Sequence, residues 1–185
     1  MPLIPTTIIS PAIAGDTTLI QQIVVPSGGS VTVDFSSIPS TYLHLRIDWL
    51  ATVEASGDFL EMIFNHDSGV NYNRGEQNSA SGNATGVQAS NAGVSVYCGY
   101  TPSVGSDGAA AMATGRIEIP FYAISGFNRT CYGQCSPGKP ISTNLTSMYF
   151  SGAWNNTAVI NRIEIFRSAH DIAEGSIFRL LGISI

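Results

Sequence analysis

The stretch MIFNHDSGVNYNRGEQ, residues 62 to 77, sets His66 beside Asp67 and surrounds the pair with Asn65, Asn71 and Asn73. Three chemistries use such residues. A catalytic dyad needs the carboxylate to hold the imidazole from the side and a nucleophile as third member. Adjacent residues at a strand end point to opposite faces, which places this pair badly for bonding each other. A calcium loop would use Asn65, Asp67 and Asn71, but the stretch lacks the acidic density and the closing bidentate Glu of such loops. The third reading is a turn. An Asp ahead of a Gly-containing turn accepts backbone N–H groups, and this accounts for every residue of the stretch. We read it as a hairpin.

The remaining reactive side chains are scattered. His44 shares the polar face of a strand with Arg46 and Asp48, the ordinary setting for cross-strand surface pairs. His170 and Asp171 lie in a connection without an identifiable partner. Glu61 and Glu118 would serve a glycosidase only if they faced each other across a groove. Trp49, Trp154 and Tyr149 would make a sugar platform only if they shared an exposed face, and the alternation around both tryptophans sends them to the core. Neither GxGxxG nor the P-loop occurs. The three cysteines, Cys98, Cys131 and Cys135, cannot all pair within one chain. On an extended strand Cys131 and Cys135 stand about 13 Å apart, beyond disulfide reach, and no second half of a zinc site exists. They read as buried free thiols. We therefore expect no catalytic residue, no metal ligand set and no cofactor site, and hence not an enzyme.

The elements carrying these residues are strands. TYLHLRIDWLATV (41–53) puts Leu43, Leu45, Ile47, Trp49, Ala51 and Val53 on one face and Tyr42, His44, Arg46 and Asp48 on the other. Period-two alternation of this length marks a half-buried strand. Slipping it by one residue would expose Trp49 and three aliphatics at about 1.5–3 kcal/mol each, so the register is fixed. Further strands are expected at 18–25, 31–35, 58–66, 94–100, 115–122, 128–135, 145–154, 158–166 and 176–185. A return strand begins at VNYN (70–73). Residues 75–93 hold only Val87 above alanine among aliphatics and read as a long polar loop. GAAAMAT (108–114) offers the one short turn of helix. About ten strands bounded by Gly, Pro, Asn or Ser indicate an all-β, antiparallel β-sandwich over residues 17–185.

Residues 1–16 form an extended N-terminal arm, kept from helix by Pro2, Pro5 and Pro11. Its apolar members Leu3, Ile4, Ile8, Ile9 and Ile13 are the candidate interface residues. Burying them does not by itself offset the entropy of ordering the segment. Stable docking would need backbone hydrogen bonds to a neighbouring sheet and several arms delivered together. The arm has no basic residue and its apolar stretch is broken by proline, unlike a secretory signal.

Over 185 residues the charged fraction is 11% and the formal charge −5, with Lys139 the single lysine. Phosphate binding needs clustered Lys and Arg, so nucleic acid is not expected as a partner. No apolar run approaches the roughly 18 residues that cross a bilayer, so no membrane partner is expected. Ser, Thr, Asn and Gly hydrate the surface without repelling neighbours, which suits packing beside copies of the same chain.

Four phrases resemble those of tailed-bacteriophage virion structural proteins: FSSIPSTYLHLRI (35–47), FNHDSGVNYN (64–73), SGAWNNTAVINRIEIF (151–166) and AEGSIFRLLGI (173–183). The shared features are a strand after IPxTY, an FN-x-D turn followed by NY, and a closing GS…LxGI strand. Where that pattern has Gly before the turn aspartate, this chain has His66. The resemblance implies a jelly-roll-like virion component without enzymatic activity. It would be a capsid decoration (cement) protein on the head surface, made in the host cytoplasm and bound to the major capsid protein as a homotrimer. The competing place on the particle is a tail-fibre or receptor-binding module for host surface glycans.

Overall fold

The computed structural model describes residues 16–55, 58–80, 83–108, 110–138, 147–168 and 170–184. The arm residues Leu3, Ile4, Ile8, Ile9 and Ile13 lie outside the described residues. The strands are β1 (Thr17–Val24), β2 (Thr32–Phe35), β3 (His44–Ala51), β4 (Asp58–Phe64), β5 (Tyr72–Ala80) and β6 (Asn83–Gly93). They continue with β7 (Val96–Thr101), β8 (Met112–Pro120), β9 (Arg129–Gly138), β10 (Ser147–Trp154), β11 (Ile163–Phe166) and β12 (Ile177–Ile183). One helical turn, α1 (Val104–Asp107), precedes β8.

The strands form two antiparallel sheets in a sandwich-like arrangement, as expected for an all-β chain. The larger runs β1-β12-β3-β8-β9-β10-β5-β6 and the smaller β2-β11-β4-β7. Apart from β5, β6, β9 and β10, successive strands alternate between the two sheets at every step but β4 to β7, giving 1-12-3-8 in one and 2-11-4-7 in the other. The two excepted hairpins both extend the large sheet beyond β8.

The core lies between the sheets. On β3, Leu45, Ile47, Trp49 and Ala51 are buried while His44, Arg46, Asp48 and Leu50 point outward, so the alternation does set the register. Trp49 fits because its ring lies over Gly115 and Gly99, where any Cβ would collide with it. Trp154 is buried too, packed with Phe64 and Tyr72 at ring separations of 5.8 and 6.4 Å. Cys98, Cys131 and Cys135 are free and buried.

Two local expectations are corrected. Residues 75–93 are not a polar loop: the described part is the paired hairpin of β5 and β6. Backbone pairing makes strands there without any apolar alternation. Helix forms at 104–107 and not at 108–114, because Ser103 caps it by accepting N–H groups from Gly105 and Ser106. Ala111, just before β8, and Ala113 within it are buried.

Candidate interaction surface

The 62–77 stretch is a turn but not a hairpin: β4 belongs to the small sheet and β5 to the large one, so the chain crosses between sheets here. Asn65 and His66 both take left-handed backbone, φ 52° and 60°, and the Asp67 N–H returns to the Phe64 carbonyl at 3.0 Å. Two successive positive-φ residues closed by that bond make a type I′ turn. Asn65 tolerates the conformation well. Its amide donates to the Val159 carbonyl at 2.8 Å, and its Oδ1 accepts the Asn161 and Arg162 N–H groups. The turn is thereby tied to the approach of β11.

His66 and Asp67 diverge, as adjacent residues should. Asp67 accepts the Gly69 N–H at 2.9 Å, the Asn71 amide and the indole N–H of Trp154 at 2.7 Å. The Trp154 hydrogen bond, with help from Gly69 and Asn71, holds its carboxyl below the ordinary value despite partial desolvation. This is the turn role expected for Asp67, with a tether to β10 of the opposite sheet added. His66 faces Glu164 at 2.8 Å. Glu164 also meets Arg162, which grips Asp34 through two bonds of 2.9 Å. The four side chains form an ionic strip on the small sheet, a product of neighbouring strands β2, β11 and the β4 turn.

The other sequence candidates separate. Glu118 pairs with Arg46 at 2.7 Å on the outer face of the large sheet, whereas Glu61 bonds Ser95 on the small one. The polar face of β3 does make cross-strand pairs: Arg46 with Glu118, and Asp48 with Arg116 at 2.9 Å. His44 instead accepts the Phe121 N–H at 3.2 Å and packs edge-on against that ring. Among the described residues no group of three or more His, Cys, Asp or Glu side chains could hold a metal ion. Burial pushes the Cys131 thiol up to about 12 and Cys135 to about 11, so neither supplies thiolate at neutral pH. No described helix is long and apolar enough to cross a membrane.

Two surfaces expose large apolar or aromatic side chains beside a concavity. The first is the outer face of the large sheet. Asp48, Arg116, Gln134 and Tyr149 stand in register across β3, β8, β9 and β10, bordering a concavity of about 430 Å³. Tyr149 and Tyr132, diagonal neighbours on β10 and β9, are 59% and 54% exposed. Of the three residues proposed for an aromatic platform, only Tyr149 reaches solvent.

The second surface is the β8–β9 connection, FYAISGFN (121–128). Phe121, Ile124 and Phe127 are 50%, 44% and 68% exposed within seven residues of chain. They border a groove of about 290 Å³ with Pro120 and the start of β9. Arg129 anchors the loop from beneath, giving hydrogen bonds to the Phe127, Thr157 and Ala158 carbonyls. The tight β turn at its start, with Phe121 at φ 53° and the Ile124 N–H returning to the Phe121 carbonyl, forces the Phe121 side chain outward. Reading Phe121 as part of a strand concealed this patch. Three large apolar residues around Gly126, in a connection too short to fold over itself, were the available signal.

No protein-family model matches the chain, and no curated protein matches it significantly.

Proposed function

We propose that the protein is a structural component of a tailed-bacteriophage particle, a capsid decoration protein that binds the outer shell and stabilises the head. The four resembling phrases motivate the reading. The observation that carries it is the exposed triad Phe121, Ile124 and Phe127, in a loop tied down by the Arg129 hydrogen bonds at one end of a sandwich. Contiguous apolar surface of that kind on a soluble domain marks a protein contact. The strand order 1-12-3-8 and 2-11-4-7 supports the finer jelly-roll reading, since two Greek keys wound together give such alternation between sheets. The expected partners are the major capsid protein and further copies of the chain in a homotrimer, at the head surface after synthesis in the host cytoplasm. The reading assigns no enzymatic activity, nucleic acid or membrane.

The apolar arm is the expected clamp. Deleting residues 1–16 should leave a folded sandwich that no longer joins particles when added to shells lacking the protein. Normal incorporation of the truncated chain would refute the clamp.

A second reading has its own support. Exposed Tyr132 and Tyr149 beside Asp48, Arg116 and Gln134 combine stacking faces with planar hydrogen-bonding groups, the chemistry by which a receptor-binding module would take host surface glycans. The site for that function is then the outer face of the large sheet. Saturable glycan-array binding that Tyr149→Ala abolishes would promote this reading over the first.

A further inference from the structure

The first described residue, Asp16, gives its carbonyl to the Ser184 N–H, so the chain enters the sandwich at one defined end of β1. In register across the large sheet, Thr17 faces Ile183, Ile183 faces His44, and His44 faces Pro120. Three strand spacings therefore separate the start of β1 from the start of the β8–β9 connection, about 14 Å. Asp16, where the described chain begins, therefore lies at the same end of the large sheet as the loop that carries Phe121, Ile124 and Phe127.

Two features of one chain are thus close together and both lack an explanation within the sandwich. One is the apolar triad with its groove; the other exposed aliphatics, Leu19, Val24, Val31, Val70 and Val94, sit on β1 or in other connections. The second is the series Leu3, Ile4, Ile8, Ile9 and Ile13, in a segment of otherwise small or uncharged residues. At about 3.3 Å per extended residue, Ile8 and Ile9 reach roughly 25 Å from Asp16, and Ile13 about 10 Å. Ile8 and Ile9 therefore span the gap, whereas Ile13 falls short of it. Tethering raises the effective concentration of the segment at the groove to about the millimolar range, favouring its own chain over a second copy. Pro5 and Pro11 favour an extended backbone before docking.

We infer that the β8–β9 loop is the docking site for the chain's own residues 3–13, with Ile8 and Ile9 covering Phe121, Ile124 and Phe127. The inference does not rest on the virion reading. If both hold, the free protein keeps its arm against its own loop until assembly.

The test is proteolysis of the full chain with a protease that cuts beside large apolar residues, clipping of the N-terminal segment being followed by mass spectrometry. Phe121→Ser/Ile124→Ser/Phe127→Ser should speed clipping roughly tenfold or more, while Val70→Ser leaves it unchanged. Phe127→Ser alone, at the most exposed position, gives a smaller increase and serves if the triple variant unfolds. The wild-type rate should be independent of protein concentration. Equal clipping in wild type and loop variants would overturn the inference. A wild-type rate that rises on dilution would also overturn it, because a second copy would then be supplying the cover.

Discussion

Asp67 carries more of the structure than its position in a turn suggests. Its carboxylate receives the N–H of Trp154, a side chain only 1% exposed, and so joins the turn that follows β4 of the small sheet to β10 of the large one. Replacing it by alanine strands a buried indole donor, which should cost about 1–3 kcal/mol in urea unfolding. The pH dependence has a definite sign. The folded-state pKa lies below the ordinary value, so the contribution is fully present above the ordinary carboxylate range and is lost as pH falls through the lowered value. The difference between wild type and Asp67→Ala should therefore narrow in acid; a pH-independent difference would contradict the charge-assisted bond. His66 makes a separate prediction. At φ 60° its backbone sits where a β-branched residue is strained and glycine is at ease. His66→Val should be less stable than His66→Gly by about 1–2 kcal/mol, whatever becomes of the Glu164 contact. The role of Asp67 in the turn could be read from DSG, but its tryptophan partner could not, because 87 residues separate them.

Strands were legible where one face is buried and the other wet. β3 announced itself through Leu45, Ile47, Trp49 and Ala51, all of which point inward. β5 and β6 did not, because backbone pairing holds them in the sheet without an apolar pattern in their sequence. The helical turn was misplaced for a related reason: alanine suits helix and a crowded strand alike, and the cap at Ser103 decided. Close packing leaves its own test. A Cβ on Gly115 would run into the Trp49 ring. Gly115→Ala should cost about 3 kcal/mol by overpacking, measured as a lowered unfolding midpoint. A neutral result would mean that Trp49 has another rotamer open to it.

For the molecule as a whole, the residues of the opening motif and the two glutamates are taken up in structural contacts. His66 and Asp67 serve β11 and Trp154, while Glu61 and Glu118 lie on different sheets. The contact surfaces were least legible in the sequence. Phe121 and Tyr149 have the same composition signature as core residues, and only register and turn geometry turn them outward. The arm was legible as apolar and proline-rich, but where it leaves the sheet depends on the pairing of β1 with β12. The most direct measurement is the amount and position of the protein on purified phage particles, by quantitative mass spectrometry and labelling in electron micrographs. A decoration protein should be present in a fixed ratio to the major capsid protein and lie over the whole head. A complement confined to the tail would contradict that placement, and its absence from the particle would contradict the structural role itself.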